Sequence, residues 1–288
     1  MIFLLLAVIT SAAIALVLKL FRSQEGNKYG IIIGNYMTCI IISLIMVQDF
    51  NAVVSATSAA YICGVIGGFL FVAGLVFMQS SIKVNGATLT SAFGKLGILV
   101  PLVLSLLVFG EKPELIQAIG IIIALLALIV LNSPSGKDSP SDKAPQGTYS
   151  FGLLILTFLG NGLADSMAKI FERTGNNEDD RVYILIVFFT ACIISAVLAY
   201  FEYSRTGKKI IIKELLAGIA VGVPNYFSSY FLLGSLERLP SFLVYPIFST
   251  GTIVLVMLVS TLLFKERPTV KQYAGIAMIL LALVLLNL

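Results

Sequence analysis

One stretch of this chain occurs twice. Residues 111–132 read EKPELIQAIGIIIALLALIVLN and residues 266–287 read ERPTVKQYAGIAMILLALVLLN. They agree at 11 of 22 positions, at an offset of 155 and without a gap. Each copy places Glu and Pro at the end of one apolar run and Gln and Gly at the start of the next. The offset persists upstream: Gly67 falls on Gly222, Ser80 on Ser235, Phe93 on Phe248, Ile98 on Ile253, Ser105 on Ser260 and Phe109 on Phe264. Earlier it drifts to 150, where Lys19 falls on Lys169 and Phe21 on Phe171. Two Leu-rich runs that matched by chance would not share Glu, Pro, Gln, Gly and Asn as well. The chain is therefore read as one unit written twice.

The repeated unit is a membrane unit. Of 288 residues, 58% are hydrophobic and only 12% charged, and the mean hydropathy is +1.01. A soluble domain carries about twice that charge fraction. A helix needs roughly 20 apolar residues to cross a bilayer, and ten such runs fill the chain: 1–21, 29–48, 57–78, 87–109, 114–132, 149–170, 182–202, 214–236, 241–264 and 269–287. The first run has no basic leader and has a mate in the sixth, so it is read as a span and not as a cleaved signal peptide. The expectation is an all-α integral membrane protein of ten transmembrane helices. The first repeat would be 1–132 and the second 149–288. A linker at 133–148, rich in Ser, Pro, Lys and Asp, joins them.

Loop charge sets the orientation. The loops after the odd-numbered spans hold 13 Lys and Arg residues, and the opposite set (Lys112, Lys169, Arg173, Arg181 and Arg238) holds 5. Cytoplasmic loops carry the excess of cations, so both termini are expected outside. Five helices per repeat then make the halves opposite in topology, an inverted repeat.

The element FGEKPELIQAIGIIIALLALIVLN, repeated as FKERPTVKQYAGIAMILLALVLLN, resembles the helix 4–5 and helix 9–10 junctions of EamA-type transporters of the drug/metabolite transporter superfamily. Length, span count and duplication match over the whole chain. That resemblance implies two inverted five-helix repeats around a central substrate cavity. Members move amino acids, sugars, nucleotide derivatives or drugs. On family grounds the leading expectation is export of amino acids or related compounds.

Polar residues inside the apolar runs are the candidates for chemistry. Lys95 lies deep in the fourth run, in TSAFGKLGILVP, with Thr250 as its repeat mate. A charge at a helix centre costs at least ~2.5–3.5 kcal/mol and usually faces a cavity or a partner. Gly94, Gly97 and Pro101 let the backbone bend there. Lys95 is expected to meet a substrate carboxylate or phosphate; the alternatives are snorkelling or an ion pair with Asp165. Asp165 is the one acid clearly within a span, and Asn161 shares its helix face. Asp165 reads as a coupling group, as a contact for a substrate amine, or as the partner of Lys169. The first span carries no acid, which weakens proton antiport of the kind found in the small multidrug members. The eighth run offers Asn225, Tyr226 and Tyr230 around Pro224, and the ninth offers Tyr245 and Thr250 around Pro246. A proline inside a span frees a carbonyl that is often satisfied in a cavity. Glu111 and Glu266, at span ends, read as boundary residues with a structural role.

Several classes drop out. There is no histidine, so His triads, His metal sites and His proton relays are excluded. Asp179 and Asp180 form a lone acidic pair in a charged loop, too little for a metal-dependent transferase. Cys39, Cys63 and Cys192 stand singly and read as free, packed thiols. No phosphate-binding loop occurs. No cofactor, metal, nucleic-acid partner or enzymatic activity is expected. The partners expected are a small-molecule substrate and the bilayer, and a homodimer is compatible with the sequence. The reading is a multi-pass secondary transporter of the cytoplasmic membrane, moving a small polar metabolite with an anionic group by alternating access. Its rivals are a drug or quaternary-cation carrier of the same fold, whose ligand Lys95 would repel, and a non-transporting membrane scaffold.

Overall fold

Apolar runs in lipid must satisfy every backbone group internally, and a helix does so within one segment. The computed structural model of the protein describes residues 1–20, 27, 29–48, 50–132, 150–264 and 270–286. Among these residues there is no strand. The helices are α1 (Ile2–Leu20), α2 (Gly30–Val47), α3 (Phe50–Ser55), α4 (Ser58–Asn85), α5 (Ala87–Leu96), α6 (Leu99–Leu107), α7 (Leu115–Asn132), α8 (Phe151–Thr174), α9 (Asp180–Thr206), α10 (Ile212–Leu236), α11 (Ser241–Phe264) and α12 (Val270–Leu286). The linker 133–148 and the Glu266, Arg267 and Pro268 of the second repeat copy lie outside the described residues.

Among the described residues, seven stretches are long and apolar enough to cross a membrane: Gly30–Val47, Ser58–Asn85, Leu89–Leu107, Phe151–Thr174, Asn177–Thr206, Ile212–Leu236 and Ser241–Leu263. Ile2–Leu18, Leu115–Leu131 and Tyr273–Leu286 are shorter apolar helices. The longest single α-helix among the described residues, α4, has 28 residues, or about 42 Å at 1.5 Å per residue.

The fourth run is broken where its sequence weakens it. Pro101 has no N–H to give the Gly97 carbonyl, which instead accepts from the Val100 N–H at 2.9 Å. The preceding bonds tighten in the same way, from the Gly97 N–H to the Gly94 carbonyl (3.3 Å) and from the Ile98 N–H to the Lys95 carbonyl (3.4 Å). Three-residue bonds of this kind mark a locally overwound helix, and they separate α5 from α6.

The helices group into two units, and each unit draws on both halves of the sequence. The first unit takes Met1–Val72 and Ile170–Arg238; the second takes Ala73–Lys169 and Leu239–Leu288. In the first unit α2 packs on α9 and α10, and α1 on α10. The contact between α2 and α10 is backbone on backbone. A Cβ on Gly218 would lie 2.5 Å from the Ile31 carbonyl oxygen and 2.7 Å from the Cα of Gly34. Small residues allow this approach, which is how membrane helices associate when lipid is as apolar as their side chains. Phe189, Ile193, Val197 and Tyr200 lie exposed along one side of α9, an apolar stripe suited to lipid. The Asp179–Asp180 pair, expected in a loop, is built into the start of α9. Asp179 ends a 3-10 turn and accepts the Thr57 N–H at 2.8 Å.

In the second unit the two copies of the repeat meet: α7 packs along α12, with α11 against α6, α7 and α12. Ile121, Ala124, Ala127 and Leu128 of α7 and Ile279, Ala282 and Leu286 of α12 are buried.

Candidate functional site

Four of the expected residues come together in the second unit. Asn161 and Asp165 stand one turn apart on α8. The Asn161 Nδ2 donates to the Gly94 carbonyl at 3.5 Å, which ties α8 to the last turn of α5. Lys95 sits in that turn, just before the break. Its side chain is exposed, and Asp165 is half-buried. The Lys95 ammonium and the Asp165 carboxylate interact through space, yet neither makes a contact ion pair among the described residues. Tyr245 of α11 is buried, and its hydroxyl donates to the Asp165 backbone carbonyl at 2.8 Å. A cation and an anion thus stand near each other without neutralising each other directly. Such an arrangement can hold a small ligand that carries a negative group, a positive group, or both. Thr250 is not part of this cluster. It is buried, and its hydroxyl donates to the Pro246 carbonyl of its own helix at 2.6 Å.

The other three residues belong to the first unit. The Asn225 Nδ2 donates to Asn35 Oδ1 at 3.1 Å and lies 3.8 Å from Cys39 Sγ. Cys39 donates to the Gly222 carbonyl at 3.3 Å. Tyr226 is fully buried, and its hydroxyl has no hydrogen-bond partner among the described residues. A buried hydroxyl left in that state costs free energy, so it marks a place where a ligand or water has something to gain. Tyr230 stacks on Tyr226 with ring centroids 6.4 Å apart and planes 9° from parallel.

Sequence reasoning missed two features. Asn35, an amide in the middle of an apolar run, was visible as a signal and completes the Asn225 cluster. Cys39, expected only to pack, is also a hydrogen-bond donor there.

Glu111 and Lys169 need correction. Glu111, expected at a boundary, is buried: its side chain is 6% exposed and that of Lys169 1%. The two pair at 2.9 Å, so Lys169 serves Glu111 instead of Asp165. Glu111 also accepts from the Ser105 hydroxyl and from the Ser241 and Phe242 amides at 2.8 and 3.4 Å. A left-handed turn at Gly110 (φ 68°) brings the chain back for these contacts. The Lys169 Nζ lies 5.8 Å from the centre of the Phe109 ring. Lys169 is therefore a core residue, which removes one cation from the smaller loop set. Among the described residues no cluster of three or more His, Cys, Asp or Glu is arranged to hold a metal.

A protein of Haemophilus influenzae described as uncharacterized is 24% identical over 283 residues, covering 95% of this chain and 93% of its own length. A crystal structure described only as that of a protein shares the fold, with a TM-score of 0.75 at 14% identity over 99% of this chain and 96% of that one. The family model of the EamA-like transporters matches residues 1–133 and 151–288. With its apolar helices and its duplicated sequence, the chain is a multi-pass membrane protein and belongs to the EamA-like transporter family of the drug/metabolite transporter type.

Proposed function

We propose that this protein is a secondary transporter of the cytoplasmic membrane that moves a small polar metabolite bearing an anionic group, an amino acid foremost. Ten spans form two inverted five-helix repeats, and the substrate is exchanged between the two faces by alternating access. The observation that carries the reading is Lys95: an exposed ammonium at a helix break inside an apolar span, near a half-buried Asp165 with which it makes no contact pair. A zwitterion answers both charges, its carboxylate toward Lys95 and its ammonium toward Asp165. The test is flux of labelled amino acids into proteoliposomes holding the purified chain. Saturable uptake is expected, and Lys95→Met should lower it about tenfold or more, the size of one lost charge-assisted bond. Melting temperature should not fall, because the substitution removes a desolvation cost. Lys95→Arg should be intermediate, since a planar fork does not replace a point charge. Wild-type flux in Lys95→Met would sink the proposal. Uptake of a quaternary ammonium probe in place of amino acids would favour the cation carrier, with Tyr226 and Tyr230 as its aromatic contacts.

A further inference from the structure

A groove of about 310 Å³ opens on the first unit between the start of α2, the last turns of α9 and the segment that follows α9. Its apolar lining includes Ile33 and Ala199, both buried, and the exposed Ala196. Its rim is different in kind. Tyr200 and Tyr203 stand at the end of α9, 67% and 44% exposed, and Lys208 and Lys209 stand exposed beyond them.

The rim is built, not loose. Gly207 turns left-handed (φ 68°) and closes α9 by donating to the Tyr203 carbonyl at 2.8 Å. Asn27, 1% exposed, then fixes the backbone of both lysines. Its Nδ2 donates to the Ala199 and Lys208 carbonyls at 3.0 and 3.3 Å, and its own N–H donates to the Lys209 carbonyl at 3.2 Å. The two ammonium groups are left to the outside, and neither makes an ion pair among the described residues.

We infer that this groove binds the headgroup and upper chains of an anionic phospholipid. Three features fit such a molecule together. Two adjacent ammonium groups match a phosphate diester. Two tyrosines at a helix end sit where amphipathic rings collect, at the headgroup level of a bilayer. The groove shares Tyr200 with the exposed apolar side of α9 that carries Phe189, Ile193 and Val197, which offers an acyl chain a path. Basic pockets between spanning helices are a general means of holding anionic lipid. The site is independent of the transport proposal.

The test is native mass spectrometry of the whole purified chain mixed with equal phosphatidylglycerol and phosphatidylcholine of the same chain length. Preferential retention of phosphatidylglycerol is expected. Lys208→Gln with Lys209→Gln should reduce that preference about tenfold or more, taking the attraction per basic residue near an anionic surface. Lys208→Arg with Lys209→Arg should keep it, and Lys83→Gln, in the other unit, should leave it unchanged. Equal retention of the two lipids by the wild-type chain, or full preference in the double Gln variant, would overturn the inference. So would displacement of phosphatidylglycerol by millimolar glycerol 3-phosphate, because the site would then belong to a soluble phosphate ester.

Discussion

At Glu111 a single carboxylate links the chain after α6 to α8 through Lys169 and to α11 through the amides of Ser241 and Phe242. Removing one partner of a buried pair costs more than the pair contributes, because the remaining charge stays desolvated. Glu111→Gln keeps an acceptor for the α11 amides but takes the counter-charge from Lys169. It should destabilise the protein by about 3 kcal/mol, read as a fall in the unfolding midpoint in detergent. Adding Lys169→Met should recover more than half of that loss, and a double variant no better than the single one would show that the pair is not what stabilises this junction. The sequence made Lys95, Asn161 and Asp165 legible, because a charge or an amide stands out in an apolar run. It could not show the partner of Glu111. Position next to Lys112 at the end of a run looks the same whether a side chain points to the interface or turns back at Gly110.

The helices themselves were largely legible, since lipid demands a long apolar run for each crossing. The break in the fourth run was foreshadowed by Gly94, Gly97 and Pro101. Which helix packs on which was not. A span that is apolar all round has no polar face to orient it, and the close approach of α2 to α10 rests on where glycines happen to fall. Gly218→Val tests that approach. A side chain there meets the backbone of Ile31 and Gly34, which cannot move aside as a flexible side chain can, so a loss of about 1–3 kcal/mol or more is expected. Gly152→Ala on α8 is the control, because a Cβ there has no neighbour within 4 Å; it should be neutral or slightly stabilising. Equal melting temperatures for the two variants would contradict this packing account.

For the molecule as a whole, orientation is the property that charge decides. With Lys169 moved into the core, the cation bias between the two sets of loops widens. Both termini should face outward and the central linker inward. Ser139→Cys, placed in that linker outside the described residues and in a chain whose Cys39, Cys63 and Cys192 are replaced by Ala, should resist a membrane-impermeant thiol reagent in intact cells. Rapid labelling there would reverse the orientation and leave the repeat untouched. The interleaved make-up of the two units has a consequence for biosynthesis. A ribosome delivers Met1–Val72 long before Ile170–Arg238, and Ala73–Lys169 long before Leu239–Leu288. At about 5–20 residues per second, α2 waits for α9 and α10, and α7 waits for α12. During that interval the first half of the chain sits in the bilayer with its packing faces open. Neither unit can close until translation is well into the second half, so the nascent protein depends on its surroundings, lipid or insertion machinery, to shelter Glu111 and the Asn35 side chain of α2 until their partners Lys169 and Asn225 arrive.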